Sequence, residues 1–159
     1  MTETVRRSGD RVVLRYERVL HHAVEEVWAA ITDPDRINAW WGTRPEIDLR
    51  VGGDYVSHHA TGDRVVDRIV RLEPPYVLAH TFWQHVNPDA LVTYELQPID
   101  EGTLLVLTHE MTERDLRNAA ASMQWDGDIY DLMSRTAAGW PRLLTALDSS
   151  LPFFARFAT

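Results

Sequence analysis

The chain contains neither cysteine nor lysine. Without cysteine it has no disulfide, no thiol nucleophile and no thiolate metal ligand. Without lysine, Schiff-base chemistry on that side chain and a Walker-type phosphate loop are excluded as well. Positive charge is the minority: sixteen basic residues, all arginine, stand against 24 acidic ones, for a net charge of −8. Such a balance opposes binding to phosphate backbones or anionic headgroups, so neither nucleic acid nor a membrane is an expected partner. No apolar run approaches the ~20 residues of a membrane span. The opening stretch, MTETVRRSGDR, lacks the apolar core of a secretory signal. A cytoplasmic protein is therefore expected. Repeats and low-complexity tracts are missing too.

What remains is one globular domain over 1–159, long enough at 159 residues and 45% hydrophobic to bury a substantial core. Its most informative stretch is DPDRINAWWGTRPEIDLRVGGDY, residues 33–55. Asp33-Pro34 reads as an N-cap with proline in the first turn, so a short helix starts there and ends on Trp40-Trp41 before Gly42. Just upstream, Val24, Val27, Trp28 and Ile31 share one face of another helix. Residues 11–21 alternate as a first strand. Six more strand-like segments follow at about 46–50, 53–60, 64–73, 76–85, 90–98 and 102–111, separated by turn signals such as Gly52-Gly53 and Asn87-Pro88-Asp89. Such short connections predict an antiparallel meander. Pairing Leu96 with Leu105 places Val92, Tyr94, Leu96, Leu105, Leu107 and His109 on one face.

Thr112 to Gln124 reads as a short helix capped by Thr112. Beyond it, Ile129, Leu132, Met133, Thr136, Trp140, Leu143, Leu144 and Leu147 form an apolar stripe at spacings of three and four. Gly139 and Pro141 lie inside that stripe and are expected to bend or weaken the helix.

The order strand, two helices, six strands, long helix resembles the α+β helix-grip fold of the SRPBCC or START-like superfamily. Within it the chain is similar to the family named after the activator of heat-shock-protein (chaperone) ATPase. The residues that carry the resemblance are Trp40-Trp41, DLRVGG at 48–53, LEPPYVL at 72–78, Gly102-Thr103 with LLVLTHE, and Gly139-Trp140, together covering about 11–150. The resemblance implies a seven-stranded curved sheet around the C-terminal helix. It also implies a bacterial, single-domain type of protein with a pocket for a hydrophobic or amphipathic small molecule. Two features depart from the family: a longer 109–139 stretch, and the tail LPFFARFAT with Phe153, Phe154 and Phe157.

On strand and helix parity, Trp40, Tyr55, Phe82, Tyr94, Leu107, Met133 and Trp140 face that pocket. His80 and His109 also have inward parity. A His80–Tyr94–His109 line is expected to orient a ligand, or else each ring is hydrogen-bonded in the core. A histidine metal site is disfavoured, because His80 and His109 lie two strands apart, and no cofactor is expected. Either Asp67 or Arg68 must face inward, with a solvated salt bridge the blander outcome. Residues 112–124 are expected to act as a lid, with Met111, Met123, Trp125 and Tyr130 on its inner side. The phenylalanine tail either folds back onto its own domain or packs on a second subunit, with a homodimer the favoured expectation. Small-molecule binding is the leading functional expectation. The rivals are a cyclase, aromatase or hydrolase in the same pocket, and a co-chaperone-like interaction module with a filled interior.

Overall fold

The computed structural model describes residues 2–155, with side chains for 3–152. The chain runs β1 (Thr2–Ser8), β2 (Arg11–Leu20), α1 (Val24–Thr32), α2 (Pro34–Trp41), β3 (Glu46–Ile47), β4 (Asp54–His58), β5 (Arg64–Glu73), β6 (Val77–Thr81), β7 (Leu91–Ile99), β8 (Gly102–Thr112), α3 (Glu113–Ser122) and α4 (Ile129–Ala155). Among the described residues the strands form a single antiparallel sheet in the order β1-β2-β8-β7-β6-β5-β4-β3. The helix-grip architecture is as read, with eight strands rather than seven.

The added strand, β1, pairs with β2 along its whole length, from Thr2 opposite Glu17 to Ser8 opposite Arg11. From Glu3 to Ser8 its residues are exposed, so it carries no burial alternation by which sequence could reveal it. The segment expected at 76–85 also changes. It pairs only to Thr81, and 82–90 leave the sheet as a loop in which Trp83 takes a left-handed φ of 53°. The 46–50 strand shrinks to Glu46–Ile47.

Local chemistry sets the remaining boundaries. The Asp33 carboxylate accepts from the Asp35 amide at 3.0 Å, Pro34 opens α2, and Gly42 closes it at φ 99°. The turn into β4 depends on Gly53, where a Cβ would sit 2.0 Å from the Asp48 carbonyl oxygen. That contact is backbone against backbone, so neither side can swing away. Gly53→Ala is expected to destabilise the fold by about 2 kcal/mol, read as a lowered urea midpoint with unchanged m-value.

Leu96 does stand opposite Leu105, and the whole inward row expected for that hairpin is buried. Against this face α4 lays Leu132, Met133, Ala137, Trp140, Leu144, Leu147 and Leu151. Gly139 and Pro141 do not interrupt it: the helix runs unbroken to Ala155. Proline has no N–H to offer the carbonyl four residues back, and the buried Tyr16 hydroxyl supplies the missing donor, 2.7 Å from the Ala137 oxygen. Burial, and secondarily Glu3, push the Tyr16 hydroxyl up to about 12, so it remains a donor at any working pH. The Pro141 carbonyl in turn accepts from Arg18 Nη2 at 3.1 Å and from the Thr145 hydroxyl at 2.9 Å.

Phe153, Phe154 and Phe157 fall outside the residues whose side chains are described. No helix among the described residues is long and apolar enough to cross a membrane.

Candidate functional site, a divided interior

The middle of the grip is filled. Leu107, Tyr94, His109 and Trp140 are all buried there, the last three within 3% exposure. The open volume lies to one side, where α3, the 82–90 loop, the end of β8 and the first turns of α4 enclose a cavity of about 560 Å³. Phe82, Trp83, Val86, Met111, Leu116 and Leu132 give it an apolar wall, and His109, Asn87, Thr136 and Asp63 add polar points. This is the size and composition typical of a small-molecule site. Met123, 62% exposed, stands at its rim. The space thus lies between the sheet and the first turns of α4, off the packed helix centre and bordered by α3.

The wall formed by α3 is tied down at its N-terminal end. Thr112 and Asp115 form a capping box, and buried Asp115 also accepts from the Asp89 amide at 3.0 Å. Asp89 accepts from the Thr112 hydroxyl at 2.9 Å and from Arg114 through both Nε and Nη2. The Thr112 and Arg114 hydrogen bonds hold its carboxyl below the usual carboxylate range. Met111 and Met123 line the cavity as expected of a lid. Trp125 and Tyr130 do not: Trp125 donates to the Asp128 carbonyl with Arg135 over its ring, and Tyr130 donates to Glu113 with Arg7 over its ring.

Phe82 separates this cavity from a second, much smaller space of about 10 Å³ lined by Tyr55, Ser57, Asp67, His80, Tyr94 and Trp140. The ring of Phe82 sits edge-on to His109 at 5.0 Å and 5.8 Å from Trp140. Of the other expected lining residues, Trp40, Leu107 and Met133 belong to the core, with Trp40 Nε1–H donating to the Ala30 carbonyl at 2.8 Å.

Strand register decides the histidines. His80 stands opposite Val92, and Val92 opposite His109, so an apolar residue separates them. Tyr94 lies one pair along, its ring diagonal to His80 at 6.1 Å, and the expected three-membered polar line does not form. Instead His80 stacks on Tyr55 at 4.2 Å. Its Nδ1 is 2.6 Å from the Thr81 carbonyl, which fixes the proton there and leaves Nε2 as an acceptor. That Nε2 is buried without a hydrogen-bond partner. His109 has the opposite tautomer: Trp140 Nε1–H donates to its Nδ1 at 3.0 Å, so Nε2 carries the proton. Burial, and secondarily His80, lower the His109 pKa to about 3. Burial likewise lowers His80, against the raising influence of Thr81 and Asp67. Both rings are neutral.

Asp67, not Arg68, faces inward at 4% exposure. Its carboxylate accepts from the Thr81 hydroxyl at 2.9 Å and from the Trp83 and Gln84 amides at 3.0 and 2.9 Å. Among the described residues Asp67 makes no salt bridge. The carboxylate holds the left-handed turn that carries Phe82, a role sequence parity could only leave open. Among the described residues no group of three or more His, Asp or Glu is placed to hold a metal ion.

The family model described as Activator of Hsp90 ATPase homolog 1-like protein matches residues 21–151. Among solved structures, CalU16 from Micromonospora echinospora is 30% identical with a TM-score of 0.60, over 89% of this chain and 65% of that one. Protein MLL2253 from Mesorhizobium loti is 23% identical with a TM-score of 0.68, over 88% and 96%. The Aha1 dimer from Colwellia psychrerythraea is 15% identical with a TM-score of 0.68, over 87% and 95%. No curated protein matches significantly.

Proposed function

The chain belongs to the Activator of Hsp90 ATPase homolog 1-like family, and from that premise we propose that it binds a small hydrophobic or amphipathic molecule in the cavity beneath α3. The observation that carries this reading is the cavity itself, about 560 Å³ with an apolar wall and few polar points. Binding is driven by burying apolar ligand surface, at about 25 cal/mol per Å² before ordering costs. His109 Nε2–H offers one donor to a ligand carbonyl or ether oxygen.

Binding fits better than proton transfer. A general base works best with a pKa near the operating pH, and burial holds both histidines away from that range. His109 Nδ1 is further occupied by Trp140. A co-chaperone-like module with a filled interior fits less well, because the interior is open on the α3 side. The homodimer reading rests on the Colwellia relative, solved as a dimer, and on the apolar tail.

The test uses the neutral fluorescent probe N-phenyl-1-naphthylamine. Saturable one-to-one binding is expected, weakened at least about tenfold by Ala119→Trp, which places an indole in the cavity. A melting curve verifies that the variant is folded. Failure of the probe to saturate, or equal affinity in the variant, would overturn the proposal.

A further inference from the structure

The small space behind Phe82 has an unusual inventory for a core. It contains an acceptor that no protein donor reaches, His80 Nε2, in a side chain only 3% exposed. Around it stand the hydroxyl-bearing rings of Tyr55 and Tyr94, both kept protonated by burial, which raises their ionisation well above its ordinary value. A buried acceptor without a donor is costly, so this atom calls for a hydroxyl donor from outside the protein.

Building on the binding reading above, we infer that this space receives the hydroxyl of an apolar alcohol or phenol whose body fills the larger cavity, with Phe82 as the partition that turns aside. Three features select that head group. The free volume of about 10 Å³ accommodates one oxygen-sized group and excludes a carboxylate or phosphate. A hydroxyl carries one donor, which His80 Nε2 requires, and two acceptor lone pairs, which the tyrosine hydroxyls can serve. An anion would meet the Asp67 carboxylate on the same wall. An organic ammonium is excluded by size, as a carboxylate or phosphate is, in a free volume of about 10 Å³. Phe82 is suited to be the partition because it borders both spaces, is only half-buried, and its side chain is held by ring contacts alone, the Asn87 amide bonding only its carbonyl.

Matched probes test this on the full chain. 2-Naphthol and 2-methoxynaphthalene differ in the donor hydrogen and one methyl, and each displaces N-phenyl-1-naphthylamine in competition. The wild-type protein is expected to prefer 2-naphthol by about tenfold over 2-methoxynaphthalene, and His80→Phe is expected to reduce that preference to within about twofold. Comparing the preference between proteins cancels the probes' differing affinity for water. Should His80→Phe not fold, Phe82→Ala decides: removing the partition is expected to strengthen 2-naphthol severalfold more than the methyl ether. An equal preference in wild type and His80→Phe, or an equal gain for both probes in Phe82→Ala, overturns the hydroxyl site while leaving the cavity reading intact. Failure of both probes in wild type, together with failure of the dye, overturns both.

Discussion

Asp67→Ala is expected to cost the fold roughly 3 kcal/mol and to abolish probe binding together with it. The carboxylate is buried and satisfies three donors, the Thr81 hydroxyl at the end of β6 and the Trp83 and Gln84 amides of the loop that follows. Alanine leaves the two part-buried amides without that acceptor, and a stranded donor costs about 1–3 kcal/mol when fully buried. The loss also falls on a strained place, since Trp83 holds φ at 53°, a conformation that persists only where its surroundings enforce it. The loop carries Phe82, Trp83 and Val86, three walls of the cavity, so affinity and stability should decline together. Asp67→Asn keeps one acceptor oxygen and should fall between. Urea titration followed by tryptophan fluorescence measures the cost. A change below about 1 kcal/mol would mean that the loop is held by something else.

Mild acid should be the second large lever. A histidine whose folded pKa lies below its unfolded value binds fewer protons folded than unfolded. Its stabilising contribution is therefore complete above about pH 6.5 and drains away as pH falls toward the folded value. For His109 that window runs from about 6.5 down to about 3. Each such ring costs roughly 1.4 kcal/mol per pH unit inside the window, and His80 is shifted in the same direction. Together they predict a loss of at least about 2 kcal/mol between pH 7 and pH 5, where most carboxylates remain ionised. That is a large share of an ordinary domain's stability of ~5–15 kcal/mol. Ring-proton NMR offers a direct view: the His109 signals should not titrate above about pH 4. A midpoint near 6.5, or flat stability from pH 7 to pH 5, would refute the assignment of a neutral, Trp140-capped ring.

The parts legible from sequence were those governed by local rules. Asp33-Pro34 opened α2 and Gly42 closed it because capping and left-handed geometry depend on a few neighbours. Leu96 met Leu105 because a short turn and one buried face leave a single register. The family resemblance held for the same reason, its motifs being turns and packing positions. The site was less legible. Parity correctly brought His80 and His109 inward, yet it could not say that Val92 would stand between them, since that depends on the register across three strands. Nor could it choose between Asp67 and Arg68, because the donors that claim Asp67 are backbone amides of a loop expected to be strand. The cavity's place was hidden for a related reason: its walls, α3 and the 82–90 loop, meet through contacts between segments far apart in sequence, such as the Asp89 amide on Asp115.

Tyr16 and Pro141 carry one more implication. A proline within a rod usually leaves an orphaned oxygen that water must attend; here a phenol from a strand more than a hundred residues earlier occupies that post. The pair works like a dowel, fixing α4 against lengthwise slippage on the sheet. The cavity is faced by a different kind of anchor, the side-chain cluster of Thr112, Asp115 and Asp89 that ties down the first turn of α3.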